Sequence, residues 1–246
     1  MPLPITIVAI DTDPNSLDLT RFAVEQTLLG LDVEEVLFFG GTPLGLGERF
    51  VEIQRFDSIA TYSEFVLKCL WPFIKTEFML IVHWDGFVAN PALWKDEFLS
   101  YDYIGAPWGW ADDHMSVGNG GFCLRSNRLV QECKDVSVRR HPEILFGGIE
   151  DIVICRLYHD YFVGKGIRFA PRELAEQFSY ESGSIRQLPF GFHGPANMPV
   201  FVSEHKLVGH APALRRKIKP GEVMDEFLRK TKAMGYQDLF RAMTGD

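Results

Sequence analysis

Five apolar residues, Phe78-Met79-Leu80-Ile81-Val82, run directly into His83-Trp84-Asp85-Gly86. A buried strand that ends on a carboxylate beside a glycine can hold a metal ion. The carboxylate supplies a hard oxygen ligand, and the glycine lets the backbone come close. A plain turn aspartate would read the same way. Gly118-Asn119-Gly120-Gly121 puts three glycines in four residues, so the main-chain N–H groups of Gly120 and Gly121 could approach an anion or a sugar. A tight turn needs the same composition. Arg125, just beyond, could pair with phosphate or simply with a neighbouring carboxylate.

Glu150-Asp151 follows Gly147-Gly148-Ile149 and would place two carboxylates at a helix N-terminus, where capping and the helix dipole favour them. The chemical alternative makes Asp151 a general base, about 3 Å from the hydroxyl whose proton it removes, with Glu150 supporting it. His193, in Phe190-Gly191-Phe192-His193-Gly194, is either a satisfied structural imidazole or a metal ligand completing a site with Asp85. Trp108 and Trp110 could stack on the apolar face of a pyranose or merely anchor their loop. Asp112-Asp113 is a rival metal pair, more simply read as a solvated loop.

The elements that must position these residues have the rhythm of an α/β domain. Ile5–Ile10 reads as a buried parallel strand ending at Asp11, followed by turn chemistry at Asp13-Pro14-Asn15-Ser16 and a helical stretch to Gly30. Val33–Phe39 is a second strand, the segment 41–56 loop-like, 58–74 helical, and Phe78–Val82 a third strand. Open parallel sheets bind ligands beyond the carboxyl ends of their strands, where Asp11 and Asp85 fall. A short helix opens at Pro91, and Tyr101–Ile104 and Asn119–Leu124 read as strands. The segment 105–117 reads as a mobile loop, and 126–134 and 150–161 as helices. Short strands and turns follow Gly166, and helices cover 222–234 and the stretch to Met243.

At 246 residues, the chain is long enough for one large α/β domain or two small ones. A formal charge of −8 argues against a protein whose main work is gripping nucleic acid. Cys69, Cys123, Cys133 and Cys155 show no metal-type spacing and read as small apolar residues in a reducing compartment. The N-terminus is too short and uncharged ahead of its first strand for a signal peptide, and no apolar run is long enough to span a bilayer. A cytoplasmic location is expected, at most against the inner face of the membrane. Arg215-Arg216-Lys217-Ile218-Lys219 is the one dense basic run, either a solvated face or a peripheral contact with anionic lipid.

Taken in order, these signals resemble the GT-A-fold glycosyltransferases, and in particular a little-characterised bacterial and fungal glycosyltransferase-like group. The closer resemblance lies in Tyr101-Asp102-Tyr103-Ile104-Gly105-Ala106-Pro107-Trp108, Val117-Gly118-Asn119-Gly120-Gly121-Phe122 with Leu124-Arg125-Ser126, and Phe190-Gly191-Phe192-His193. It covers roughly residues 4 to 195. The resemblance implies a GT-A-like, mostly parallel central sheet flanked by helices over residues 1–205, with a C-terminal helical extension over 206–246. It also implies a nucleotide-diphosphate sugar donor, a glycan or lipid-linked glycan acceptor, and Mn²⁺ or Mg²⁺ at Asp85 and His193. Asp11, with Thr12 beside it, would touch the nucleotide base or ribose. Gly120, Gly121 and Arg125 would lie at the donor, Trp108 and Trp110 at the acceptor, and Asp151 would be the base of an inverting transfer in surface polysaccharide or lipopolysaccharide synthesis. One departure stands out: the first residue of the metal motif is His83, where the family has Asp. A non-catalytic carbohydrate- or nucleotide-binding module is the alternative. A nucleotidyltransferase would need a basic glycine-rich signature after the first strand, which Asp11-Thr12-Asp13-Pro14 is not.

Overall fold

The computed structural model describes residues 1–245. In chain order its elements begin with β1 (Leu3–Asp11), α1 (Leu17–Leu28), β2 (Val33–Gly40), β3 (Arg49–Glu52), α2 (Ile59–Lys68), β4 (Phe78–Val82) and β5 (Gly86–Val88). Then come β6 (Tyr103–Gly105), β7 (Phe122–Ser126), α3 (Asn127–Cys133), α4 (Glu150–Ile152), a π-helical turn (Val153–Leu157) and α5 (His159–Gly164). The chain closes with α6 (Arg172–Phe178), β8 (Ser179–Tyr180), β9 (Gly191–His193), α7 (Met198–Phe201), α8 (Glu204–Lys217), α9 (Glu222–Ala233) and α10 (Gln237–Thr244).

The main sheet has the order β3-β2-β1-β4-β7-β6. β1, β2, β3 and β4 are mutually parallel, and β7 is antiparallel to both β4 and β6. This is the mostly parallel sheet expected of a GT-A-like fold. Side chains alternate across it, as the twofold period of a strand requires. Ile5, Ile7 and Ala9 of β1 and Leu80 and Val82 of β4 join one apolar cluster, which α1, α8, α9 and α10 cover. Val8, Ile10, Met79 and Ile81 point into a second cluster under α2, α3 and the π-helical turn. A small sheet of order β5-β9-β8 lies beside the carboxyl ends of β1 and β4.

Several elements differ from expectation. The loop-like stretch 41–56 contains β3, whose short Arg-Phe-Val-Glu alternation pairs with the edge of β2. The helix expected over 58–74 stops at Lys68, and α6 lies where short strands and turns were expected. The stretch before residue 222 holds α8, which runs for 14 residues through Pro212. Segment 105–117 is anchored: Ala106, Trp108 and Ala111 are buried, and Pro107 bridges Val117. Of the cysteines, Cys123, Cys133 and Cys155 are buried and Cys69 is exposed, all as free thiols. Among the described residues no helix is long and apolar enough to cross a membrane.

Candidate functional site

β4 ends in a two-residue turn. His83 N–H donates to the Gly86 carbonyl at 2.9 Å and Gly86 N–H to the His83 carbonyl at 3.0 Å, so Trp84 and Asp85 stand at the tip. β5 then leaves antiparallel to β9, and Gly86 pairs with His193 in register. This pairing unites two motifs far apart in the chain. Asp85 Oδ1 lies 3.8 Å from His193 Nε2. With His83, the three side chains offer ligand atoms all within 4.8 Å of one another.

Two ligands each about 2.1 Å from a shared ion stand about 3–4 Å apart, so the Asp85–His193 spacing suits a divalent cation as it is. The outer contacts agree. His193 Nδ1 is 3.2 Å from Glu181 Oε1, which turns Nε2 toward Asp85, the arrangement that orients a metal-binding imidazole. Burial alone would lower the His193 pKa, but the Asp85 carboxylate and the Glu181 hydrogen bond outweigh it and raise it to about 9. A cation entering the cluster displaces that proton. His83 is pushed the other way, to about 3, by burial and then by His193 and Arg125. It is therefore a neutral imidazole, and one nitrogen, Nε2, is 2.7 Å from the Tyr62 hydroxyl. Burial raises the Asp85 pKa, against the pull of His193. One carboxylate and two imidazoles fit a divalent transition metal such as Mn²⁺ more naturally than Mg²⁺, which prefers oxygen and water.

The glycine turn works differently from expectation. A Cβ on Gly121 would lie 2.1 Å from His193 Nε2, and one on Gly120 2.1 Å from Glu150 Oε1. Their amides are occupied as well: Gly120 N–H donates to Asp151 Oδ2 at 2.9 Å and Gly121 N–H to Asn119 Oδ1 at 3.1 Å. The turn is thus a seat for His193 and the acidic pair more than an open row of donors. Asn119 holds a left-handed φ of 52°, and its amide reaches Glu181 Oε1 at 2.5 Å.

Arg125, expected at a phosphate, is instead 2 % exposed and closes a 3.1 Å ion pair with buried Glu150. Glu150 is thus taken up by Arg125, with its charge beside Asp151. Asp151 is half-buried at the start of α4. Burial first, and then the neighbouring Glu150 charge, raise its pKa to about 7, against the Gly120 and Ile152 amides.

Asp11 is committed locally, accepting from Ser16 Oγ at 2.9 Å and Thr20 Oγ1 at 2.5 Å, which ties the start of α1 to β1. Thr12 Oγ1 accepts from Phe56 N–H at 3.0 Å. Both still line a cleft of about 290 Å³ that also takes in Tyr62, His83, Trp84 and Lys217. Lys217, read in the sequence as part of a surface run, turns inward to Asp13 Oδ2 at 2.9 Å, and its ammonium lies 5.6 Å from the Trp84 ring centroid. Trp108 is buried, whereas Trp110 is 63 % exposed and stacks on it at 5.1 Å between centroids. Asp113, of the rival acidic pair, is taken up by Arg156 at 2.6 Å.

The structure therefore brings Asp85, His83, His193, Gly120, Gly121, Glu150 and Asp151 into one region, with the Asp11–Thr12 cleft opening beside His83. Sequence reasoning missed Glu181, Tyr62 and Lys217. Glu181 and Tyr62 are single polar residues that nothing local marks, and Lys217 sits in a basic run that reads as a solvated face.

A sequence-family model described as "Protein of unknown function (DUF5672)" matches residues 46–193. No curated protein matches the chain significantly. Among solved structures, a glycosyltransferase involved in the glycosylation of the major capsid of PBCV-1 aligns over 93 % of this chain and 98 % of its own, at 13 % identity and a TM-score of 0.51. The apo-form glycosyltransferase GlyE of Streptococcus pneumoniae TIGR4 aligns over 76 % of this chain at 12 % identity and a TM-score of 0.49, and the chain spans 53 % of that structure. The galactosyltransferase LgtC, solved in complex with donor and acceptor sugar analogues, aligns over 90 % and 99 % of the two chains at 15 % identity and a TM-score of 0.47. The first of these shares the fold with this chain, a mixed α/β sheet flanked by helices as in GT-A glycosyltransferases.

Proposed function

The chain belongs to the family described as "Protein of unknown function (DUF5672)", and we propose that it is a metal-dependent glycosyltransferase. It moves a sugar from a nucleotide-diphosphate donor to a hydroxyl of a glycan or lipid-linked glycan acceptor. The transferase body precedes α8, and α8, α9 and α10 form a helical extension that lends Lys217 to the donor cleft. The observation that carries this reading is the Asp85–His83–His193 cluster at the strand ends, seated on the same glycine turn that holds Asp151. The GT-A-like fold supports it.

Asp85 and His193, with His83, would hold Mn²⁺ or Mg²⁺. A bound divalent cation neutralises the donor diphosphate and its charge on departure. Asp11 and Thr12 face the nucleoside end of the cleft, and Lys217 adds a positive charge there. Asp151 takes the proton from the acceptor hydroxyl, the oxygen attacks the anomeric carbon, and the bond to the nucleoside diphosphate breaks. This single displacement inverts the anomeric centre. Exposed Trp110 offers an indole face to an acceptor ring; buried Trp108 backs it.

Calorimetry with a panel of nucleoside diphosphates and their sugars, with Mn²⁺ and then with chelator, tests the proposal. One nucleotide should bind only with metal. Failure of every nucleotide to bind a folded sample would favour a carbohydrate-binding module instead.

A further inference from the structure

A second group of ligand-type side chains meets away from that cluster. His114, on the segment joining β6 to β7, and His159 and Asp160, at the start of α5, bring one ligand atom each to within 4.8 Å of one another. The metal-like signal that the sequence carries at Asp112-Asp113 thus leads, one residue on, to a different set of donors.

His159 is the buried member of the group, and His114 and Asp160 reach it from the surface. The buried His159 ring stacks on Phe169 at 4.6 Å between centroids and 29° between planes. It stands edge-on to His114 at 5.5 Å. His159 Nδ1 is 3.2 Å from Asp160 Oδ1, and two ligands about 2.1 Å from one tetrahedral zinc ion are separated by about 3.4 Å. His114 is exposed, yet both its neighbours are tied down. Arg156 donates from Nη1 to both Asp113 carboxylate oxygens, at 2.6 and 2.9 Å, and to the Met115 carbonyl at 3.2 Å. The loop is thus anchored on each side of His114 to the π-helical turn that leads into α5.

We propose that His114, His159 and Asp160 form a zinc site, independent of the transferase reading. Two imidazole nitrogens and one carboxylate oxygen are a borderline ligand set suited to Zn²⁺ and poorly suited to Mg²⁺ or Ca²⁺. Water completes the coordination. The ion clips the 106–117 segment to α5 and so steadies the Trp108–Trp110 stack, over which Arg156 also lies at 5.5 Å from the Trp110 centroid.

The test is zinc calorimetry on the full chain in an Asp85→Ala background, which removes the carboxylate of the other cluster. One zinc should still bind, and adding either His114→Ala or Asp160→Ala should weaken it at least tenfold. Both side chains are exposed, so neither change disturbs the core. Zinc should also shift tryptophan emission in the Asp85→Ala protein, and His114→Ala should abolish the shift. Zinc binding unchanged by His114→Ala and Asp160→Ala would overturn the proposal, as would its complete loss in Asp85→Ala alone.

Discussion

A Cβ at position 121 would lie 2.1 Å from His193 Nε2, and one at position 86 would lie 2.8 Å from its Cδ2. Gly121→Ala must therefore displace the imidazole from its present seat beside Asp85. The expected result is a Mn²⁺ affinity at least tenfold weaker, read by calorimetry on a protein whose circular dichroism is unchanged. Equal affinity would mean that His193 is not a ligand. Asp151 makes a separate claim. Asp151→Asn should cut turnover by about 10²- to 10⁴-fold, the usual contribution of a positioned base, while donor affinity stays within about twofold. Because the Asp151 pKa is raised to about 7 by burial and by Glu150, the base form grows as pH rises through 7. The rate should climb over that range and then level off. The same shift has the opposite sign for stability: a carboxyl whose folded pKa lies above its unfolded value favours the fold at low pH, and that contribution is lost as pH rises through about 7. A flat pH–rate profile between 6 and 8 would remove Asp151 from the base role.

At the scale of elements, one buried ion pair ties β7 to α4. Arg125 and Glu150 keep only 2 % and 4 % of their side-chain surface exposed. Removing one partner leaves an uncompensated buried charge, so Arg125→Met should cost about 3–5 kcal/mol in urea unfolding. The paired change Arg125→Met with Glu150→Met should recover much of that. A loss below about 1 kcal/mol for the single change would show that water reaches the pair.

The same pair marks what a linear reading can carry. Arg125, five residues from Gly120 in sequence, looks like a phosphate ligand, and only the packing of α4 onto β7 reveals its carboxylate partner. Phe78–Val82 was legible because every residue is apolar and buried. That β7 runs antiparallel beside it was not, since direction is set by the route of the chain. β3 escaped notice as four residues with charged ends on a sheet edge, and α8 because Gly209 and Pro212 look like breakers. The acidic pair and the late histidine were legible as residues. Their meeting depends on the β5–β9 register, which no local pattern encodes.

At the scale of the whole molecule, α8, α9 and α10 complete the apolar cluster on one face of the main sheet. The end of α8 is fastened across the chain to the end of β1 by Lys217 and Asp13 at 2.9 Å. Burial alone would raise the Asp13 pKa, but the Lys217 ammonium and the Asn15 hydrogen bonds lower it to about 2. A depressed carboxylate pKa gives stability that is present above its unfolded value and lost as pH falls, here between about 4 and 2. Lys217→Ala should therefore be less stable than the wild type at pH 7, with the gap closing in acid, and its Asp13 pKa should rise in an NMR titration. An unmoved Asp13 resonance would mean that the pair does not persist in solution.

The pairing of Gly86 with His193 also imposes an order of events on a chain finding its fold. β1, β2, β3 and β4 can align within the first third of the sequence, whereas β9 must close a loop of most of the remaining chain before it meets β5. Contacts of such separation form slowly, because the loop entropy is spent before the contact returns anything. His83 and Asp85 are in place early; His193 arrives only with β9. Tight cation uptake during refolding would then time the arrival of that last strand.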